Sequence, residues 1–423
     1  MFPLVLLYLV LVLIRPQEYP GLIDLDIPFM PAAMLGAVFM WLVANRKKPF
    51  DAPQYVLLVA FLVILMLSKV VNGWAGGAIE QLKTFGPSVV AFVLVAHATI
   101  VRTRTTAVMA VFALCSAVLA VHGIEQVQSG TGWTGMPLVQ DGRIQYVGIF
   151  SDPNDLGMLF VMVLPMAVYL SSRGGLLGMR RLFWLTGAAL LLFGIYLTNS
   201  RGALLAVAVV AAGYIWLHHG KIWAGIIGSV CLASMMMLPS RLQDLDVDED
   251  SAAGRIDAWY SGFQMFTSHP VLGVGAGNFT DNNYLTAHNS FVLVIAETGY
   301  VGFTIWLAFV GYCFWMMVTV LRHRPDLPDP IRVAAWAEEQ AIARTLLLSL
   351  CGFFATAFFL SRSYVILLYL LAGLVVGFYT GARERFPSLR GFSLVSDAVR
   401  WLLFSAAGIL ALFIVVKLLL AAG

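Results

Sequence analysis

Charge is scarce in this sequence. Of its 423 residues only 12% are charged, about half of what an ordinary soluble domain carries. Hydrophobic residues make up 60%, and the mean hydropathy is +0.86. A globule of this size could not clothe itself in water-compatible surface with so few ionic groups, which excludes a soluble enzyme and a disordered protein. Cysteine is also sparse. Cys115, Cys231, Cys313 and Cys351 each lie inside an apolar stretch and far apart, so they read as small core residues, not as a disulfide framework or a zinc site. The net charge of +3, without any basic run, excludes a nucleic-acid partner. Neither His-Glu-x-x-His nor any Cys/His spacing occurs, so no protein-built metal centre and no cofactor is expected. Internal repeats and inverted half-to-half symmetry are missing, unlike in many transporters. Residues 1–14 are apolar but lack a basic start and a following Ala-x-Ala site, so no secretory signal peptide is expected.

Long apolar runs are abundant. A membrane-crossing helix needs about 20 mostly apolar residues. Such segments fall near 2–14, 29–44, 55–72, 85–101, 106–121, 155–172, 182–198, 202–217, 221–238, 300–321, 342–360, 363–380 and 396–420. The expected fold is an all-α, polytopic integral membrane protein with about 12 transmembrane helices. Three parts follow: transmembrane helices over 1–238 with an outer loop 123–153, a long outer loop over 239–299, and C-terminal transmembrane helices over 300–423.

The few cations set the orientation. Arg46, Lys47 and Lys48, then Arg102 and Arg104, Arg173, Arg180 and Arg181, Lys221, Arg322, Arg324 and Arg332, and Arg383, Arg385 and Arg390 recur on alternate connectors. By the positive-inside rule those connectors are cytoplasmic. The opposite face carries the long loops, where sites usually lie. It also lacks ATP, which disfavours a nucleotide-driven reaction.

On that outer face a few ionisable residues stand out. Arg201 lies in Thr198-Asn199-Ser200-Arg201-Gly202-Ala203, a tight turn between two apolar spans. Alone it reads as a snorkelling anchor, but Asn199 and Ser200 add hydrogen-bonding capacity beside it. Residues 254–267 have helical periodicity, with Ile256, Trp259, Tyr260, Phe263 and Phe266 on one stripe. Too polar to span, this helix should lie along the interface with Arg255 at its opening, competing with a plain lipid-phosphate contact. His269-Pro270 reads as a helix terminator. The glycine run Gly273-Val274-Gly275-Ala276-Gly277 lacks a βαβ setting, so a close-packed loop is expected there instead of a dinucleotide site.

His288 opens Ala287-His288-Asn289-Ser290-Phe291, where the loop re-enters apolar sequence, and Gly299 breaks the pattern eleven residues on. This predicts a half-helix entering the membrane region, tolerated only where it is buried in protein or lines a cavity. Histidine titrates near neutral pH and suits proton abstraction, although a lone histidine is more often a cap. Asp244, Asp246, Asp248, Glu249 and Asp250 lack the glycine and terminal glutamate of a calcium loop and read as a solvated face. Asp152 or Asn154 is expected to cap the helix that begins near Asp155.

These residues together resemble the bacterial O-antigen ligase superfamily, which comprises O-antigen ligases, O-antigen polymerases and protein O-oligosaccharyltransferases. His288-Asn289, nine residues, then Gly299 fits the family's His-[Asn/Ser/Gln]-x9-Gly pattern. Ser200-Arg201-Gly202-Ala203 resembles its arginine turn. Arg255 to Trp259, His269-Pro270 and Gly273 through Phe279 resemble its periplasmic helix and glycine-rich loop, and Arg143 through Asn154 is similar as well. Gly302 departs from the pattern, where threonine is common, and family members generally have twelve spans where thirteen segments are counted here. The resemblance implies a membrane-embedded type-C glycosyltransferase in the bacterial inner membrane, multi-pass, with its active site facing the periplasm. Its donor would be a polyprenyl-pyrophosphate-linked glycan and its acceptor a sugar hydroxyl of lipid A–core. His288, Arg201 and Arg255 are then the expected catalytic groups, with Arg201, Arg255, Arg143 and Asn289 binding substrate. An O-antigen repeat-unit polymerase is the alternative, and a transporter or flippase of lipid-linked saccharides the rival from another class. A protein O-oligosaccharyltransferase ranks lower, because those members often carry a further large domain after the last spans. Charge-free midplanes favour an enzyme at one surface over alternating access.

Overall fold

The fold was analysed in a computed structural model, which describes all residues except 26, 45–48, 174, 176–177, 238–248, 327–328 and 423. Arg46, Lys47, Lys48, Arg241, Asp244, Asp246 and Asp248 therefore lie outside the described residues. The chain is all-α. Its helices are α1 (Phe2–Ile14), α2 (Phe29–Val43), α3 (Pro53–Val71), α4 (Ala75–Ala98), α5 (Arg102–Ser129), α6 (Pro153–Ser171), α7 (Met179–Thr198) and α8 (Arg201–His219). They continue with α9 (Lys221–Met237), α10 (Glu249–Ser268), α11 (Phe279–Asn282), α12 (Ser290–Arg322), α13 (Pro330–Ala357), α14 (Ile366–Arg385) and α15 (Leu394–Ala422).

Among the described residues, ten helices are long and apolar enough to cross a membrane: α3 to α8 and α12 to α15. The segments at 2–14, 29–44 and 221–238 form shorter helices, α1, α2 and α9, which fall below that length. The thirteen apolar segments thus resolve into ten helices of spanning length and three shorter ones. α6 and α14 are buried at almost every position and form the centre of the bundle, while α15 turns Val395, Leu403 and Leu418 outward.

Several helices outrun their apolar segments. α5 continues to Ser129, so its connector is 130–152 and not 123–153. The reason is inward-facing polarity. Gln126 Nε2 donates to the carbonyls of Met136 (2.8 Å) and Pro137 (3.0 Å), and its Oε1 accepts from Gln145 N at 3.0 Å. α13 begins at Pro330, twelve residues ahead of its apolar run, because Glu339 is fully buried against Arg385 at 2.7 and 3.0 Å.

Two ends of the bundle are thereby distinguished. Arg102 and Arg385 meet Glu339, and Arg173 meets Glu338 at 2.6 Å, so the cations of three of the alternate connectors gather together. At the other end of α6, Asp155 pairs with Arg362, with the same helix running from one cluster to the other.

Candidate functional site

Asp152 caps α6, its Oδ1 accepting from Asn154 N at 2.8 Å, with Pro153 at the first helical position where its missing N–H costs nothing. This end of α6 forms one wall of a cavity of about 260 Å³. Arg143, Arg201, Arg255 and His288, far apart in sequence, all line it, as does Arg362.

Each cation arrives on a different element. Arg143 sits in the α5–α6 connector, its Nε donating to the Thr198 carbonyl (2.9 Å) and its Nη2 to Asn154 Oδ1 (3.0 Å). Arg201 is the first residue of α8. Asn199 ends α7 in the left-handed conformation (φ 46°) and Ser200 caps α8, so the turn is tight and Arg201 is held at the cavity wall. The α8 N-terminus itself faces the cavity through Gly202 and Ala203, adding a partial positive charge. Arg255 projects from α10, which begins at Glu249, so the arginine stands in its second turn and does not open the helix. Trp259 and Phe263 on the predicted stripe are buried, and Trp259 meets Phe358 edge-on at 5.7 Å. That packing fixes the helix that carries Arg255.

Arg362, also one of the few cations outside the alternate basic connectors, is given no site role by the sequence alone. It lies in the α13–α14 turn, with its guanidinium bidentate on Asp155 (Nη2 to Oδ2 at 2.7 Å) and Asp152 at 3.8 Å. Burial alone would depress its pKa, but the bonds to Asp155 and the charges of Asp155 and Asp152 outweigh it and raise it, so the group stays cationic. Its backbone N–H donates to Ser290 Oγ at 2.9 Å, and Ser363 Oγ donates to the Ser290 carbonyl at 2.7 Å. The signal was present: Ser361-Arg362 in a short turn between apolar spans repeats Ser200-Arg201.

His288 reaches the cavity through a left-handed backbone (φ 47°), a strained conformation that non-glycine residues adopt where surrounding structure enforces it. Burial lowers its pKa, and the Arg255 charge lowers it further, against a smaller opposing pull from Asp152. The imidazole is neutral at neutral pH. Asn289 does not line the cavity. It is fully buried, and its Oδ1 accepts from Phe291 N (2.9 Å) and Val292 N (3.1 Å), capping the helix that follows His288.

That helix is broken where sequence reading placed the break. Gly299 (φ 64°, ψ −163°) separates Ser290–Thr298 from the long span beyond. The backbone groups freed there are satisfied by the glycine loop. Val274 N and Gly275 N donate to the carbonyls of Ala296 and Glu297, each at 3.0 Å, and Tyr300 N donates to the Pro270 carbonyl at 2.8 Å. A Cβ on Gly273 would lie 2.3 Å from Glu297 C, so only glycine allows this approach. The loop is a packed structural brace, as expected. Beneath it, buried Glu297 accepts from Phe279 N at 3.2 Å, and Lys69 donates to Asn278 Oδ1 at 2.6 Å. His269 follows the end of α10 and is exposed, outside the cavity lining.

Beside the polar cavity runs an apolar groove of about 590 Å³, lined by Leu205, Ala206 and Val209 of α8 and by Phe291, Phe354 and Phe358. Phe359 lines both. An arginine-lined cavity thus adjoins an apolar groove.

Residues 186–307, which hold Arg201, Arg255, His288 and Gly299, match the family described as O-antigen ligase. This part of the chain is thus similar to the O-antigen ligase/polymerase superfamily, as the motifs suggested. Residues 2–175, including Arg143, match a second family, described as one of unknown function; Arg362 lies in neither match. Among curated proteins the chain is similar to an O-antigen polymerase of Salmonella muenchen, 25% identical over 194 residues, covering 41% of this chain and 48% of that protein. The matched part thus spans about half the length of that relative.

Proposed function

We propose that this protein is a metal-independent, inverting O-antigen ligase. It would transfer a glycan from a polyprenyl-pyrophosphate donor to a sugar hydroxyl of lipid A–core on the periplasmic face of the inner membrane. The observation that carries this reading is the convergence of four arginines and a neutral histidine on one cavity that opens beside an apolar groove. The arginines suit a pyrophosphate, each guanidinium offering paired donors to its oxygens. They would stabilise the charge developing on the leaving group in place of a divalent cation. The polyprenyl chain fits the groove along α8 and Phe354, placing the anomeric carbon near His288.

In the transfer, the acceptor oxygen forms a bond to the anomeric carbon from the face opposite the leaving group. The anomeric C–O bond breaks, polyprenyl pyrophosphate departs, and the His288 imidazole takes the hydroxyl proton. Arg201 and Arg255 bind the pyrophosphate; Arg143 and Arg362 extend the cationic wall. Asn289 holds His288 in place and is better described as a positioning residue than as a ligand.

His288→Ala in a host lacking its own ligase should abolish the lipopolysaccharide ladder on a gel at matched protein levels. A normal ladder would remove His288 from the reaction. The second reading, a repeat-unit polymerase, is favoured by the similarity to the Salmonella muenchen polymerase. Purified protein given lipid-linked glycan with and without lipid A–core separates the two. Product that appears only with lipid A–core supports the ligase, whereas lengthening of lipid-linked glycan without it supports the polymerase.

A further inference from the structure

At the opposite end of the bundle from His288, a second groove of about 600 Å³ lies among α6, α7, α8 and α13. Its walls are apolar, with Leu192, Val207 and Leu348 among them, but one charged residue faces into it, Arg344 of α13. Arg344 is half-buried, and among the described residues no carboxylate pairs with it. The nearby Glu338 is engaged already, by Arg173 at 2.6 Å and by the Tyr169 hydroxyl at 2.7 Å. Ionisable side chains within a membrane span are costly and mark a partner. Arg344 stands six residues inside Glu338, about 9 Å further along the helix axis. A guanidinium at that depth reaches toward the headgroup level while its stem stays in apolar surroundings.

His218 also lines the groove. Its Nδ1 bonds the Tyr214 carbonyl at 2.8 Å and its ring stacks on Tyr214 at 4.3 Å, so its orientation is set and Nε2 is left to serve a ligand. Thr345 and Ser172 line it too, but their hydroxyls donate to the carbonyls of Ala341 (2.9 Å) and Tyr169 (2.7 Å), so of these four Arg344 and His218 are left as its polar contacts. A cationic group at the rim of a long apolar trough is complementary to one anionic headgroup carrying hydrocarbon chains. We propose that this groove binds a single anionic glycerophospholipid of the leaflet at that end, its phosphate on Arg344 and its acyl chains along Leu192, Val207 and Leu348. The site is separate from the cavity around His288 and does not depend on the transfer reaction.

Native mass spectrometry of the full-length protein, after delipidation and addition of phosphatidylglycerol or phosphatidylcholine, tests this directly. One phosphatidylglycerol should be retained and phosphatidylcholine should not. Arg344→Gln should reduce retention about fivefold or more, the effect of removing one cation from an anionic headgroup. Arg344→Lys should keep most of it. Val207→Trp, which fills the trough and leaves the cation in place, should abolish it, so the proposal stays testable if Arg344→Gln fails to fold. Equal retention of both lipids, unchanged binding in Val207→Trp, or displacement of phosphatidylglycerol by a polyprenyl phosphate at equal concentration would overturn the assignment.

Discussion

The imidazole of His288 and the guanidinium of Arg255 share one cavity wall, and their coupling has a measurable sign. Burial and the Arg255 charge both hold the His288 pKa below its ordinary 6.5. If His288 accepts the acceptor's proton, the acidic limb of kcat/KM against pH lies below that value. Arg255→Gln removes a like charge, so the limb should move up in pH. Asp152→Asn removes the charge that raises the His288 pKa, so the limb should move down. Movement of both variants in the same direction would separate His288 from the titration. Linkage carries the same sign for stability: between the depressed pKa and 6.5 the unfolded chain holds the proton, so the fold loses stability as the pH falls through that window. At this scale much was legible in the sequence. Arg143, Arg201, Arg255 and His288 were singled out because cations and histidines are so rare outside the alternate basic connectors, and all four line one cavity. Asn289 was misplaced because a spacing pattern cannot tell a side chain that faces a ligand from one that caps the next helix. Arg362 stood out as an outer-face cation but was given no role, because its partner, Asp155, lies 207 positions away in sequence.

Among the elements, the broken helix is the one on which the site depends. Gly299 adopts a conformation essentially reserved for glycine, and a Cβ there would lie 2.5 Å from Val271 C and O. Gly299→Ala should therefore cost about 1–3 kcal/mol or more, read as a lowered melting temperature in detergent together with lost transfer activity. Gly130→Asn is the matched control: its φ is 81° but nothing lies within 4 Å of the added Cβ, and asparagine tolerates this region. Equal losses in both would show that neither the dihedral strain at Gly299 nor its close approach to Val271 sets the cost. The interruption itself was legible, since Gly299 punctuates an apolar run. The brace was not, because the backbone pairing of 274–275 with 296–297 leaves no periodic trace. Helix lengths were misread for a related reason. The N-terminal part of α13 and the C-terminal part of α5 are polar in sequence yet inward-facing, and hydropathy cannot register a carboxylate buried against arginines.

For the whole molecule, the separation of two charged ends is the feature that orientation depends on. With cysteines introduced into a background lacking the four native ones, Tyr284→Cys, at a position 81% exposed near the cavity, should react with an impermeant maleimide from the periplasmic side. Ile331→Cys, at a position 82% exposed at the other end, should react only after the membrane is opened. The reverse pattern would invert the proposed topology. The gathering of alternate basic connectors at one end was legible because alternation of Lys and Arg survives errors in individual span limits. The convergence of distant turns on one cavity was not, because nothing in a linear sequence records which loops meet.

The arginine-lined cavity has one more consequence. Four segments, from Arg143 to Arg362, bring four positive charges toward one small volume, against the carboxylates of Asp152 and Asp155. A multiply charged anion held there becomes one more non-covalent cross-link between these parts of the chain, added to the Arg143–Thr198 and Arg362–Asp155 bonds. Inorganic pyrophosphate should therefore raise the melting temperature in proportion to the logarithm of its concentration once above its Kd, and orthophosphate should do so less. An unchanged melting temperature at millimolar pyrophosphate would mean that the walls stand without it.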